Sequence, residues 1–276
     1  MKLLLYILLL TISFDSYAQE PEKIELFTFR SRENGKIGYM NKNNKIVIKP
    51  QYATGTYFEN NDYAAVSIKN GKTYKFAVID LKGNYIIPFE EGYELISLNT
   101  EIENWILVVK NGKWGYINYK KEILIPLDYD NLGHFYGNLA FAQKNGKYGF
   151  IDSNNNTIID FQFDWTINFG RIQPDGLRYV KVQKESKTGY INNKGELIAP
   201  YLYDSAKPFF KGVAVVKKGK KYGCINTKGK VIVPFNFEFI TNYKKFIIAQ
   251  KEFSSENEYY YNRQGEFIRI ATKKKK

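Results

Sequence analysis

Apolar residues along this chain fall in short runs separated by polar or glycine-containing breaks, as in Ile46-Val47-Ile48, Ile123-Leu124-Ile125 and Val231-Ile232-Val233. Long windows lack the 3.6-residue spacing of an amphipathic helix. Breaks such as Asn43-Asn44, Lys82-Gly83-Asn84, Lys194-Gly195 and Lys228-Gly229 supply the positive φ of tight hairpins. The pattern therefore predicts many short strands joined by turns, an all-β protein.

One string recurs. Lys113-Trp114-Gly115-Tyr116-Ile117-Asn118 returns as Lys147-Tyr148-Gly149-Phe150-Ile151-Asp152 and as Lys221-Tyr222-Gly223-Cys224-Ile225-Asn226. Lys36-Ile37-Gly38-Tyr39-Met40-Asn41 and Lys187-Thr188-Gly189-Tyr190-Ile191-Asn192 replace its first aromatic. Lys75-Phe76-Ala77-Val78-Ile79-Asp80 puts alanine in place of glycine, and Glu258-Tyr259-Tyr260-Tyr261-Asn262 is a degenerate last copy. The glycine position falls at 38, 77, 115, 149, 189, 223 and 259, a period of about 37 residues that suits a tandem repeat.

Each copy continues through a turn into a second apolar strand that reaches Pro50, Pro88, Pro126, Pro200 or Pro234 in most units. Proline lacks the ladder donor, so these strands are expected to stop there. An aromatic with a carboxylate beside it follows, as in Tyr129-Asp130, Phe163-Asp164, Tyr203-Asp204 and Phe237-Glu238. A loop then leads to a third strand, such as Val213 to Val216. The expected fold is a tandem array of about seven three-stranded antiparallel meanders, solenoid-like or propeller-like, over residues 19–270. So small a meander cannot bury its own face, so successive units must stack into one continuous core.

Strand alternation places Trp114 and Tyr116 on one face of the motif and Gly115 and Ile117 on the other. The motif positions Gly38, Ala77, Trp114, Gly115, Tyr148, Gly149, Gly189, Tyr222 and Gly223 are accordingly read as structural. The aromatics form a packing ridge, and glycine admits a neighbouring backbone or ring, a clearance that Ala77 largely preserves. An aromatic platform for sugars is the competing reading, and recurrence in nearly every unit favours core packing.

The string from Asn111 to Asn118, with the Ile-Pro stretch and Tyr-Asp after it, resembles the bacterial WG-repeat proteins over about residues 24 to 270. Tryptophan itself survives only in the third copy. The resemblance implies a β-rich repeat scaffold in exported or intracellular bacterial proteins. It carries over no enzymatic activity and no catalytic residues.

Met1-Lys2, the apolar run Leu3 to Phe14, and the small residues Ser16 and Ala18 read as a signal peptide over residues 1–18, cut after Ala18. The expected location is periplasmic or secreted, with no integral membrane segment once the leader is removed. The net charge is +13, yet all but six of the 41 cations are lysine. Lysine chiefly solubilises where arginine would read phosphate, so nucleic acid is not expected, and residues 271–276 read as a solvated basic tail. A protein or an envelope glycan is the expected partner.

Candidate chemistry is sparse. His134 is the single histidine and Cys224 the single cysteine, too few for the usual zinc sites or for a disulfide within the chain. Cys224 stands where sister units carry Tyr116, Phe150 and Tyr190, which makes it an apolar substitute. Asp152-Ser153-Asn154-Asn155-Asn156 lacks the central glycine and final glutamate of a calcium loop and reads as a hairpin turn. Neither a metal nor an organic cofactor is expected. Asp130, Asp164, Asp204 and Glu238 could serve a glycan-acting hydrolase if two of them met in a groove. Their recurrence at one unit position favours a turn-capping role, so the expectation is a non-enzymatic binding scaffold, with the hydrolase as the alternative.

Overall fold

The computed structural model describes residues 25–272 apart from 59–61, 99–101, 244 and 253–255. The expected leader, residues 1–18, and Lys273 to Lys276 of the basic tail lie outside the described residues. The described strands form seven antiparallel sheets that follow one another along the chain. The first has the three expected strands, Leu26–Arg30, Ile37–Asn41 and Ile46–Tyr52.

The other six sheets have four strands, which corrects the three-stranded expectation. In the fourth sheet Asn131–Leu132, Ala140–Lys144, Lys147–Ile151 and Thr157–Phe163 lie side by side in chain order. The added member is brief and starts one residue after the preceding sheet ends. Tyr129 closes the third sheet, Asn131 opens the fourth, and Asp130 between them donates its N–H to the Gln143 carbonyl at 2.9 Å. Ala53, Asp164, Asp204 and Glu238 make the same single-residue joint. Only the passage from the second to the third sheet is longer.

Proline does not end most of these strands. The last strand of a unit runs seven residues, passing through Pro50, Pro126, Pro200 and Pro234. It is the edge of its sheet, and it bulges: Trp114 faces Tyr129 while Tyr116 faces Ile125, two extra residues on the proline side. At a bulged edge a missing donor breaks no ladder bond. Pro88 alone behaves as expected, since Tyr85–Ile87 stops there and the chain turns into a short 3-10 helix, Phe89–Glu91.

Each inner sheet buries both faces. In the third sheet Ile106, Val108 and Ile117 join the core shared with the second sheet, whereas Leu107 and Tyr116 join the core shared with the fourth. Such doubly covered strands need continuous apolar sequence, which is why Ile106-Leu107-Val108-Val109 shows no polar alternation. Six such cores link consecutive sheets. Among the described residues no core cluster joins the first sheet to the seventh. The last strand, Phe267–Thr272, leaves Phe267, Ile268 and Ile270 exposed.

Candidate functional site

The recurring motif is a joint between sheets. A Cβ added to Gly38, Gly115, Gly149, Gly189 or Gly223 would lie 2.6 to 2.8 Å from the carbonyl oxygen of Ile48, Ile125, Ile159, Ala199 or Val233 on the bulged edge strand. Glycine is thus required by a backbone within the same sheet. Ala77 is tolerated for a different reason than shared clearance. Its edge strand leaves at Pro88, and the ladder ends with Val78 opposite Ile87 after a register shift between Val78 and Ile79, so no edge-strand residue is paired opposite residue 77.

The two aromatics of the motif differ. Trp114, Tyr148 and Tyr222 pack on the cores but stay half-buried, whereas Tyr39, Tyr116, Phe150 and Tyr190 are fully buried. The hydroxyls of Tyr39, Tyr116 and Tyr190 donate to the carbonyls of Thr56, Gly133 and Lys207 in the following unit, at 3.0, 3.1 and 2.5 Å. Their burial raises the phenol pKa well above its ordinary value. Each ring also meets a phenylalanine of that unit: Tyr39 meets Phe58, Tyr116 meets Phe135, Phe150 meets Phe169 and Tyr190 meets Phe209. Cys224 takes this place in the sixth sheet, and burial pushes its thiol up to about 12, so it stays protonated.

The recurrent acids have partners. The motif lysine reaches the acid seventeen residues on: Lys113 Nζ to Asp130 at 2.6 Å, Lys147 to Asp164 at 2.5 Å, Lys221 to Glu238 at 3.2 Å, and Lys187 to Asp204. The neighbouring ammonium holds Asp130, Asp164 and Asp204 below the ordinary carboxylate range. A second oxygen of Asp130, Asp164 and Asp204 accepts the N–H of Gly146, Glu185 or Gly219 in a hairpin of the next sheet. Glu94 does the same for Gly112 at 3.2 Å. Asp130, Asp164 and Asp204 therefore each cap a turn, as their recurrence suggested, and tie two sheets together. The constant lysine-to-acid spacing was present in the sequence as the signal for this pairing.

His134 lies between the third and fourth sheets, with Nε2 2.9 Å from Ser97 Oγ and Nδ1 3.4 Å from the Tyr116 hydroxyl. Burial lowers its pKa. Asp152 Oδ1 accepts the N–H groups of Asn154 and Asn156 at 2.9 and 2.8 Å, the hairpin turn expected of that segment. Among the described residues no group of His, Cys, Asp and Glu could hold a metal ion. None of their helices is long and apolar enough to cross a membrane.

The concave feature of greatest interest lies between the first and second sheets, a cavity of about 760 Å³. Arg30, Lys36 and Lys69 line it together with Asn34, Gln51 and Thr54, and the half-exposed ring of Tyr74 faces it. Its lining contains no carboxylate. Two departures from the repeat create it. Ala53 occupies the single-residue joint held elsewhere by an acid, donating its N–H to Ser67 O at 2.7 Å just as Asp130 donates to Gln143 O. The hairpin of the second sheet, Tyr63–Asn70 with Thr73–Asp80, also extends two pairs farther than that of the fourth, adding the Lys69–Tyr74 pair to the wall. The sequence reading singled out none of these cationic residues as a site. Aligning the joints would have exposed Ala53.

A sequence profile described as the WG containing repeat matches residues 37–72, 76–114, 114–148, 148–187, 189–222 and 222–252. The chain belongs to this WG-repeat family. No curated protein matches it by sequence. Among solved structures, a eukaryotic initiation factor aligns over 90% of this chain and 74% of its own, at 10% identity and TM-score 0.50, a likeness of fold alone. KlHsv2 with loop 6CD replaced by a Gly-Ser linker aligns over 91% and 99% at 8% identity and TM-score 0.42. A nidogen/laminin complex aligns over 76% and 94% at 9% identity and TM-score 0.31.

Proposed function

We propose that this protein is a non-enzymatic, exported scaffold whose sheet array binds another protein or an envelope glycan. The observation that carries the reading is the use of the recurrent acids: Asp130, Asp164, Asp204 and Glu238 each hold a lysine of their own unit. A hydrolase would need two of them facing one substrate bond. Membership of the WG-repeat family supports a repeat scaffold. The leader-like residues 1–18 support export, and the lysine-rich surface suits an anionic partner.

Expression of the full chain, with N-terminal sequencing of the product outside the cytoplasm, tests the export half, and the expected first residue is Gln19. Incubation of that product with envelope proteins and glycans tests the rest. Saturable retention without new reducing ends is expected. Release of reducing ends, or retention of nothing, would overturn the scaffold.

A further inference from the structure

The cavity between the first two sheets lacks a group that the repeat supplies elsewhere. Four sister units place a carboxylate within reach of the motif lysine: Lys113, Lys147, Lys187 and Lys221 each have one. Lys36 is the equivalent lysine, and seventeen residues on stands Ala53, whose methyl group cannot accept a hydrogen bond. The backbone at Ala53 is nonetheless in the same place, bonded to the neighbouring strand as Asp130, Asp164 and Asp204 are. The fold thus keeps the lysine and the backbone of the joint and omits the anion, while the longer hairpin of the second sheet carries its turn farther away and leaves room for a ligand. Arg30 and Lys69 concentrate further positive charge on the same cavity, whose size falls in the range of small-molecule sites.

We infer that this cavity is a binding site for a carboxylated sugar, with the ligand's carboxylate taking the position that Asp130 and its counterparts fill in other units. A carboxylate is favoured because the protein itself pairs one with this lysine position four times over. A sugar is favoured by the remainder of the lining. Asn34, Gln51 and Thr54, already bonded to Pro50 O, the Tyr52 hydroxyl and Ser67 Oγ, keep spare donors and acceptors for ring hydroxyls, and Tyr74 offers an aromatic face. The assignment rests on the scaffold reading and names the ligand class for it.

Titration of the full chain with D-glucuronate tests the inference, with its neutral methyl ester, glucose, inorganic phosphate and tri-glutamate in parallel arms. Saturable binding of glucuronate is expected, at least tenfold tighter than the ester, glucose or phosphate. Lys36→Met and Ala53→Asp are both expected to weaken it tenfold or more. Ala53→Asp is the sharper variant, because it installs the carboxylate the repeat already accommodates, and its circular dichroism and thermal midpoint report that the fold is kept. Undiminished binding by Ala53→Asp, equal binding of phosphate, tighter binding of tri-glutamate, or no glucuronate binding would each overturn the inference. Envelope retention that survives Ala53→Asp overturns only this site, whereas a wild-type chain that retains nothing removes the scaffold reading itself.

Discussion

Gly115→Ala isolates the contact on which the motif is built. The new methyl carbon would sit 2.7 Å from Ile125 O and 2.9 Å from both the carbonyl carbon and oxygen of Pro126, all backbone atoms. No rotamer change can relieve contacts between main chains, so the edge strand must shift. Overpacking of this kind costs about 1 to 3 kcal/mol. Removing glycine's extra freedom in the unfolded chain offsets about 0.4 to 1 kcal/mol of that, leaving a net loss of about 1.3 kcal/mol at the middle of both ranges. Trp105 and Trp114 both pack on the core between the third and fourth sheets, so tryptophan emission during urea unfolding reports the affected region directly. The expected result is a lower urea midpoint with a similar slope. Ala77→Gly is the companion, since no edge-strand residue is paired opposite it, and it should lose about 1 to 2 kcal/mol, from backbone entropy and the loss of one buried methyl. A Gly115→Ala midpoint equal to or above wild type would refute the argument that backbone proximity dictates glycine here.

Three further outcomes follow from the joints between sheets. Tyr116→Phe removes the donor to Gly133 O and leaves a buried carbonyl short of a partner, an expected loss of about 1 to 2 kcal/mol by the same unfolding assay. Asp130, Asp164 and Asp204, depressed by their lysines, favour the fold above the unfolded carboxylate pKa of about 4, and that advantage disappears as pH falls through their lower folded values. Urea midpoints measured from pH 7 to 2 should therefore fall on the acid side, with a shallower fall in an Asp130→Asn, Asp164→Asn, Asp204→Asn variant. Cys224 should resist an aromatic disulfide reagent at pH 8 and react promptly in denaturant, because its buried thiol is held protonated.

The registered glycines made the sheet array legible, because a glycine at a fixed place in five of the seven motif strands marks a close approach whatever the partner. The fourth strand was not legible. Asn131–Leu132 is two residues long, too short to show an alternation of its own. Proline misled in the opposite way: Pro126 looks like a stop in one dimension, but lies on an edge where its missing N–H is harmless. The carboxylates were read as turn caps, which Asp130, Asp164 and Asp204 are, while their lysine partners went unread because the pairs span seventeen residues. The candidate cavity was hidden for a simpler reason. It comes from a side chain that is missing at Ala53 and from a longer hairpin, and neither an alanine nor a hairpin length announces chemistry.

The one-residue passage at Asp130 has a bearing on how such a chain can change in length. Because one sheet's outgoing strand leads through one residue into the next sheet's incoming strand at five of the six passages, a duplicated copy can meet its neighbours through the seam that most copies already use. Whole modules can be spliced in or out without a new linker. A residue added at that seam need only loop out, as the longer passage from Ile87 to Leu95 does, whereas a one-residue slip in the pairing of Asn131 and Leu132 would exchange inside for outside at the start of the next sheet.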